Sequence, residues 1–124
     1  MAEHLSDAWF DELAAAAAEA SVDPSLSLVV QQVVVDGDRE VAWTVRVQDG
    51  RIEVVRGRVP DADMSLTQDR ATAAAIARGE LSAQAAFLAG RLRIGGAVHQ
   101  LTGQAAALAA LEDVFADVRA RTTW

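Results

Sequence analysis

The run DGDRE at Asp36 to Glu40 alternates acids in the manner of a calcium loop. It lacks the downstream glycine and the late bidentate glutamate of an EF-hand, and it falls between two β-rich runs, so it reads as a hairpin turn. Asp61, Asp63 and Asp69 invite reading as a carboxylate cluster. Yet Asp61 follows a proline in a loop and Asp69 falls in the first turn of a helix, where the dipole favours negative charge, so all three read as structural. His4 stands in the N-terminal tail and His99 beside a glycine turn, neither with a second ligand at helical spacing. Cysteine is absent, which excludes thiolate, disulfide and Cys-based metal or cluster chemistry. No G-x-S-x-G elbow is present, and GRLRIGG lacks the Lys-Ser/Thr end of a phosphate loop. A Ser/His/acid triad meets only in space and is not decided by spacing. The expectation is a non-enzyme without catalytic residues, metal or cofactor.

Three polar or aromatic features allow two readings each. Arg91 and Arg93 alternate with Leu92 and Ile94. They either guard an edge strand against aggregation or present a guanidinium to a carboxylate or CoA-phosphate head group. In Gln31-Gln32, alternation puts one amide on the covered face of a strand, where it needs a partner from protein, water or the polar end of a ligand. Trp43 is either ordinary core or a cavity wall.

The elements that position these residues follow from periodicity. A helix is expected over about Ser6 to Ala20, with Trp9, Leu13, Ala16 and Ala20 on one stripe. LSLVVQQVVV, EVAWTVRVQ and RIEVVRGR read as three strands joined at Asp36-Gly37 and Asp49-Gly50. In the second strand Val41, Trp43, Val45 and Val47 share the covered face. A short strand through Met64 and Leu66 leads to a Thr67-capped helix ending near Arg78. Ser82 then caps a short helix over Ala83 to Ala89, Gly90 stops it, and a fifth strand runs to Gly95-Gly96. Leu108, Leu111, Phe115 and Val118 stripe a final helix. This order implies an α+β fold: a five-stranded, mostly antiparallel sheet with helices covering one face. The helical crossover into strand five leaves room for a parallel neighbour.

A length of 124 residues suits one domain spanning the chain. The net charge of −7 argues against nucleic acid as a partner. All eleven bases are arginine, which carries no functional meaning. The acidic N-terminus lacks a signal-peptide pattern, and no run is apolar enough for stable membrane insertion, so a soluble, cytoplasmic protein is expected.

Gly79, Leu81, Ala86-Phe87, Gly90, Leu92, Ile94 and Gly96, arriving after three hairpin-linked strands and a capped helix, form an ordered string of spacings. Together with MSLT at the fourth strand, that string resembles the sterol carrier protein type 2 family over nearly the whole chain. The pattern departs from the family at Ala97, where an acid often follows the closing glycine, and the chain ends RTTW without a peroxisomal address. The resemblance implies a lipid-binding domain with an apolar tunnel between sheet and helices. The expected wall comprises Trp43, Val45, Met64, Phe87, Leu88, Ile94, Leu108, Leu111 and Phe115. Three alanine runs add a physical reason, because small inward side chains leave space above the sheet; they equally allow close helix packing. Two functions remain: a carrier of an acyl chain, acyl-CoA, isoprenoid or steroid-like molecule, or a ligand-free accessory subunit for a partner enzyme of lipid metabolism.

Overall fold

The computed structural model describes residues 2–96 and 105–124, less the side chains at 83, 105–109 and 112. Helix α1 (Asp7–Glu19) is followed by strands β1 (Leu28–Asp36), β2 (Arg39–Gln48), β3 (Arg51–Arg56) and β4 (Met64–Asp69). Helices α2 (Arg70–Ala77) and α3 (Ala83–Leu88), strand β5 (Leu92–Gly96) and helix α4 (Ala105–Arg121) complete the chain. Each of the first three helices starts where a side chain accepts an orphan amide: Ser6 from Trp9, Asp69 from Thr72 and Ser82 from Ala85. Asp69, not Thr67, caps α2, because β4 continues through Thr67 to Asp69 itself.

The sheet has the order β3-β2-β1-β4-β5. Its β1–β4 pair is parallel and the other three pairs are antiparallel. The helical crossover therefore returns β5 antiparallel to β4, and the parallel contact falls at β1–β4 instead. Two hairpin turns set the first three strands in register. Asp49 and Gly50 both take positive φ, at 55° and 79°, as a type I′ turn requires. In the other hairpin Asp36 pairs with Arg39, so the central residues are Gly37 and Asp38, with Gly37 at φ 62°.

Register divides the sheet into two faces. Val41, Trp43, Val45, Met64, Leu66, Leu92 and Ile94 all lie on one, as alternation predicts. Helix α1 lies over β3 and against α4, α2 lies over β1 and β4, and α3 lies beside β5. The core sits between these layers: Trp9, Phe10, Leu13 and Ala17 of α1 and Leu111 and Val118 of α4 against the valines, Trp43 and Met64 of the sheet.

The opposite face is crossed by the connection from β3 to β4. Thr44 donates its hydroxyl to the Gly57 carbonyl at 3.0 Å, and Gln31 accepts from the Val59 amide at 3.0 Å while donating to Ser65 Oγ at 3.2 Å. Arg46 grips Asp61 through two bonds of 2.8 Å, and Asp63 accepts from the Val29 amide at 2.8 Å. This strap explains why Gln31 and Thr44 are buried on a face without helices. Asp61, Asp63 and Asp69 are thus all structural, in a salt bridge, a strand contact and a helix cap.

Candidate functional site

On the helix-covered face the paired residues fall into rows that cross the strands. One row runs Val54, Val45, Val30 and Met64; the next runs Arg56, Trp43, Gln32, Leu66 and Ile94; a third runs Val41, Val34, Gln68 and Leu92. Cover is uneven across them. Val45, Val30 and Met64 are buried, and so are Val34, Gln68 and Leu92, whereas Gln32, Leu66 and Ile94 between them are half-buried. From Trp43 to Ile94 the middle row spans three inter-strand steps, about 14 Å at the usual strand spacing. It forms an apolar floor that the helices cover less completely than the rows beside it, with one amide at its midpoint.

Gln32 is that amide. Its Oε1 accepts from Gln68 Nε2 at 3.0 Å, a diagonal bond between β1 and β4. Of the two adjacent glutamines, Gln31 thus belongs to the strap and Gln32 to the covered face. Gln68 was not among the residues the sequence nominated. The signal was present in its even spacing from Met64 and Leu66, which puts all three on one face.

At the β2 end of the floor stands an aromatic cluster. Trp43 meets Trp9 and Phe10 edge-on at 5.5 and 5.4 Å between ring centroids, and Trp9 meets His4 at 5.0 Å. His4 is not in a loose tail: it is 4% exposed and lies between Trp9 and Trp124. Burial, with the nearby Arg70 charge, pushes its pKa down to about 4, and Nδ1 has no hydrogen-bond partner among the described residues. Arg56 is held by Asp7 at 3.0 Å and lies over the Phe10 ring at 4.0 Å.

Of the nominated wall, Trp43, Val45 and Met64 are buried on the covered face, Ile94 is half-buried at its edge, and α4 contributes buried Leu111 and half-buried Phe115. Phe87 and Leu88 are 41% and 77% exposed on α3. The Leu108 side chain, Ala97 and His99 lie outside the described residues. Arg91 precedes β5 and donates Nε to Thr72 Oγ1 at 3.2 Å, while Arg93 projects from the edge strand opposite Thr67. An open groove of about 660 Å³ lies where α1 ends against the β2–β3 turn, between Ala17, Val22, Pro24, Gly50 and Ile52. None of the nominated wall lines it. Among the described residues no three His, Asp or Glu are grouped to hold a metal, and no helix is long and apolar enough to cross a membrane.

The family model of the SCP-2 sterol transfer family matches residues 10–109. The chain belongs to this family. Solved structures agree on the SCP-2 fold. A conserved hypothetical protein from Thermus thermophilus is similar at TM-score 0.70 and 21% identity, over 95% of this chain and 91% of that one. Palmitated SCP2L2 from Aedes aegypti is similar at TM-score 0.61 and 18% identity, over 87% of this chain and 94% of that one. The inverting sec-alkylsulfatase Pisa1 from Pseudomonas is similar at TM-score 0.56 and 21% identity, over 79% of this chain but 15% of the sulfatase. Comparison with curated protein sequences gives no match. An SCP-2 domain is a lipid-binding or lipid-transfer domain, and that coarse function holds for this chain.

Proposed function

We propose that the chain is a single-domain cytoplasmic lipid carrier, not an enzyme, and that it shields an acyl chain, acyl-CoA, isoprenoid or steroid-like ligand between the sheet and its helices. The observation that carries this reading is the half-covered floor from Trp43 to Ile94, which lies under the layer that contributes Leu111 and Phe115. A tunnel there would be walled by Trp43, Val45, Met64, Ile94, Leu108, Leu111 and Phe115, with Phe87 and Leu88 beside β5 at its mouth. Family membership supports the class of ligand, and the palmitated relative supports an acyl chain in particular.

Each buried methylene is worth about 0.8 kcal/mol, so affinity should rise steadily with chain length. Titrating fatty acids of increasing length against tryptophan fluorescence tests this, because Trp43 lies at one end of the floor. Phe115→Asp places an unpaired charge in the layer above and should weaken binding, with circular dichroism confirming the fold. If no lipid alters tryptophan emission at any length, or Phe115→Asp binds as well as the parent, the carrier reading fails. The second reading is an accessory domain for an enzyme of lipid metabolism. It is favoured by the sulfatase, in which the same fold is one part of a much longer chain, and by exposed Phe87 and Leu88.

A further inference from the structure

The acids of this chain are unevenly placed. Of its 18 Asp and Glu residues none lies between Glu80 and Glu112, and the described part of that interval, from Leu81 to Gly96, carries Arg91 and Arg93. This segment holds α3 and β5. Helix α3 buries only Ala86 among its described side chains, while Phe87 and Leu88 are 41% and 77% exposed. Val35 and Trp124 are the other exposed large apolar side chains among the described residues, and neither has such a neighbour in sequence, whereas Phe87 and Leu88 are adjacent. The end of α3 fixes the pair. Gly90, at φ 76°, donates its amide to the Phe87 carbonyl at 3.1 Å, and Arg91 donates its amide to the Ala86 carbonyl at 2.8 Å, the two bonds of a Schellman stop. The chain turns back at once, and the Arg91 backbone is held against the last turn of the helix. Arg93 follows two residues later, about 7 Å along the edge strand β5.

Resting on the carrier reading, we infer that α3 and the start of β5 form the surface by which the protein docks on an anionic lipid bilayer, with Phe87 and Leu88 entering the interface and Arg91 and Arg93 meeting lipid phosphates. Two exposed side chains fall far short of the ~800 Å² per partner that a stable protein interface buries. They suffice for a shallow, reversible hold on a lipid surface when cations assist. Charge also selects a bilayer. The acids bordering the segment are engaged elsewhere: Asp69 caps α2, Glu80 pairs with Arg78 at 3.2 Å, and Asp63 accepts from the Val29 amide. Arg91 is bonded to Thr72 through Nε and not through its two terminal nitrogens, the pair that suits a phosphate. The net charge of −7 does not oppose this contact, because screening acts within about 8 Å at physiological salt and the bilayer meets only the charge of the docked segment. Helix α1 lacks the combination, since its exposed side carries Asp7, Asp11 and Glu19 among alanines. Docked through α3, the proposed mouth beside β5 faces the bilayer, where a carrier takes up and returns its lipid.

The test is co-sedimentation of the intact protein with vesicles of phosphatidylcholine alone and of phosphatidylcholine with about 30% phosphatidylserine, at physiological salt. The parent should bind the mixed vesicles about tenfold more tightly than the neutral ones, and salt raised to about 1 M, where screening acts within about 3 Å, should abolish the difference. Leu88→Ser, at a largely exposed position, should weaken binding to the mixed vesicles about tenfold, with circular dichroism confirming the fold. Arg93→Gln should weaken it about fivefold and leave binding to neutral vesicles unchanged, and it decides the matter alone if Leu88→Ser does not fold. Arg51→Gln, on the opposite edge strand, should change neither. A parent that binds both vesicles alike, or folded Leu88→Ser and Arg93→Gln variants that bind as the parent does, overturns the inference. A parent that binds neither vesicle also overturns it and leaves Phe87 and Leu88 to a protein partner. Each of these outcomes leaves the carrier reading standing, since that reading falls only in the fatty-acid titration, which needs no vesicles.

Discussion

Trp9 donates its indole N–H to Thr122 Oγ1 at 3.1 Å, joining the start of the first helix to the residue after the last one, 113 positions away. Thr122 in turn donates its hydroxyl to the Val118 carbonyl at 2.6 Å, and both side chains are buried. The helix layer is thus fastened by a directed contact at the end where Trp9 also touches Trp43 and His4.

Thr122→Val leaves the Trp9 indole N–H buried without an acceptor and should cost about 1–3 kcal/mol of unfolding free energy. Trp9→Phe removes the donor and part of the ring and should cost about 2–4 kcal/mol. In urea denaturation the double variant should be less destabilised than the sum, by about 1 kcal/mol, because the two residues share one bond. Strict additivity would mean that the bond contributes nothing.

On the strap side, Gln31→Leu removes the acceptor of the Val59 amide and the donor to Ser65, so it should destabilise by about 1–3 kcal/mol. Asp61→Asn breaks a solvent-exposed ion pair with Arg46 and should matter much less. Thermal unfolding of the two variants side by side measures the ranking, and the reverse order would show that the strap is held by charge.

Gly96 has φ of 83°, and a Cβ there would sit 2.7 Å from the Asp63 carbonyl oxygen. Gly96→Ala therefore meets both a left-handed backbone and backbone atoms that cannot turn aside, and should lose about 2–3 kcal/mol. Gly90→Ala, with φ of 76° and open space around the added carbon, should lose only about 1 kcal/mol. Chemical denaturation of both variants compares the two costs.

His4 gives stability a dependence on pH. Its folded-state pKa of about 4 lies below the ordinary 6.5, so below pH 6.5 the unfolded chain binds the proton first. Stability from this group is complete above the ordinary value and is lost as pH falls towards 4. The full shift corresponds to about 3 kcal/mol, and screening by solvent around the termini reduces the expected loss to about 2 kcal/mol. Urea unfolding at pH 7 and pH 4.5 should show His4→Gln losing correspondingly less stability than the parent, since the carboxylates are common to both. Equal losses would place His4 in a more solvated setting than its burial implies.

Periodicity and punctuation were enough for the local elements. The period of two fixes which residues of β2 share a face, and Ser6, Ser82 and Gly90 act as caps and stop through their own short-range chemistry. Long-range pairing was not legible in the same way. That β4 lies parallel to β1 depends on where the β3–β4 strap crosses the sheet, and the strap is held by Thr44, Gln31 and Arg46 from strands that precede it in sequence.

For the site, the sequence by itself determined that one of Gln31 and Gln32 faces the helices, that Trp43 and Ile94 lie on that face, and that the chain offers an SCP-2 pattern without catalytic motifs. Only the tertiary structure decided that Gln32 is the covered amide, that Gln68 is its partner, and that His4 is buried beneath Trp124. The reason is physical. Alternation and capping are set by neighbours a few bonds apart, whereas the partner of a buried polar group is whatever the strand register brings beside it, and register is set by the cooperative packing of the entire sheet.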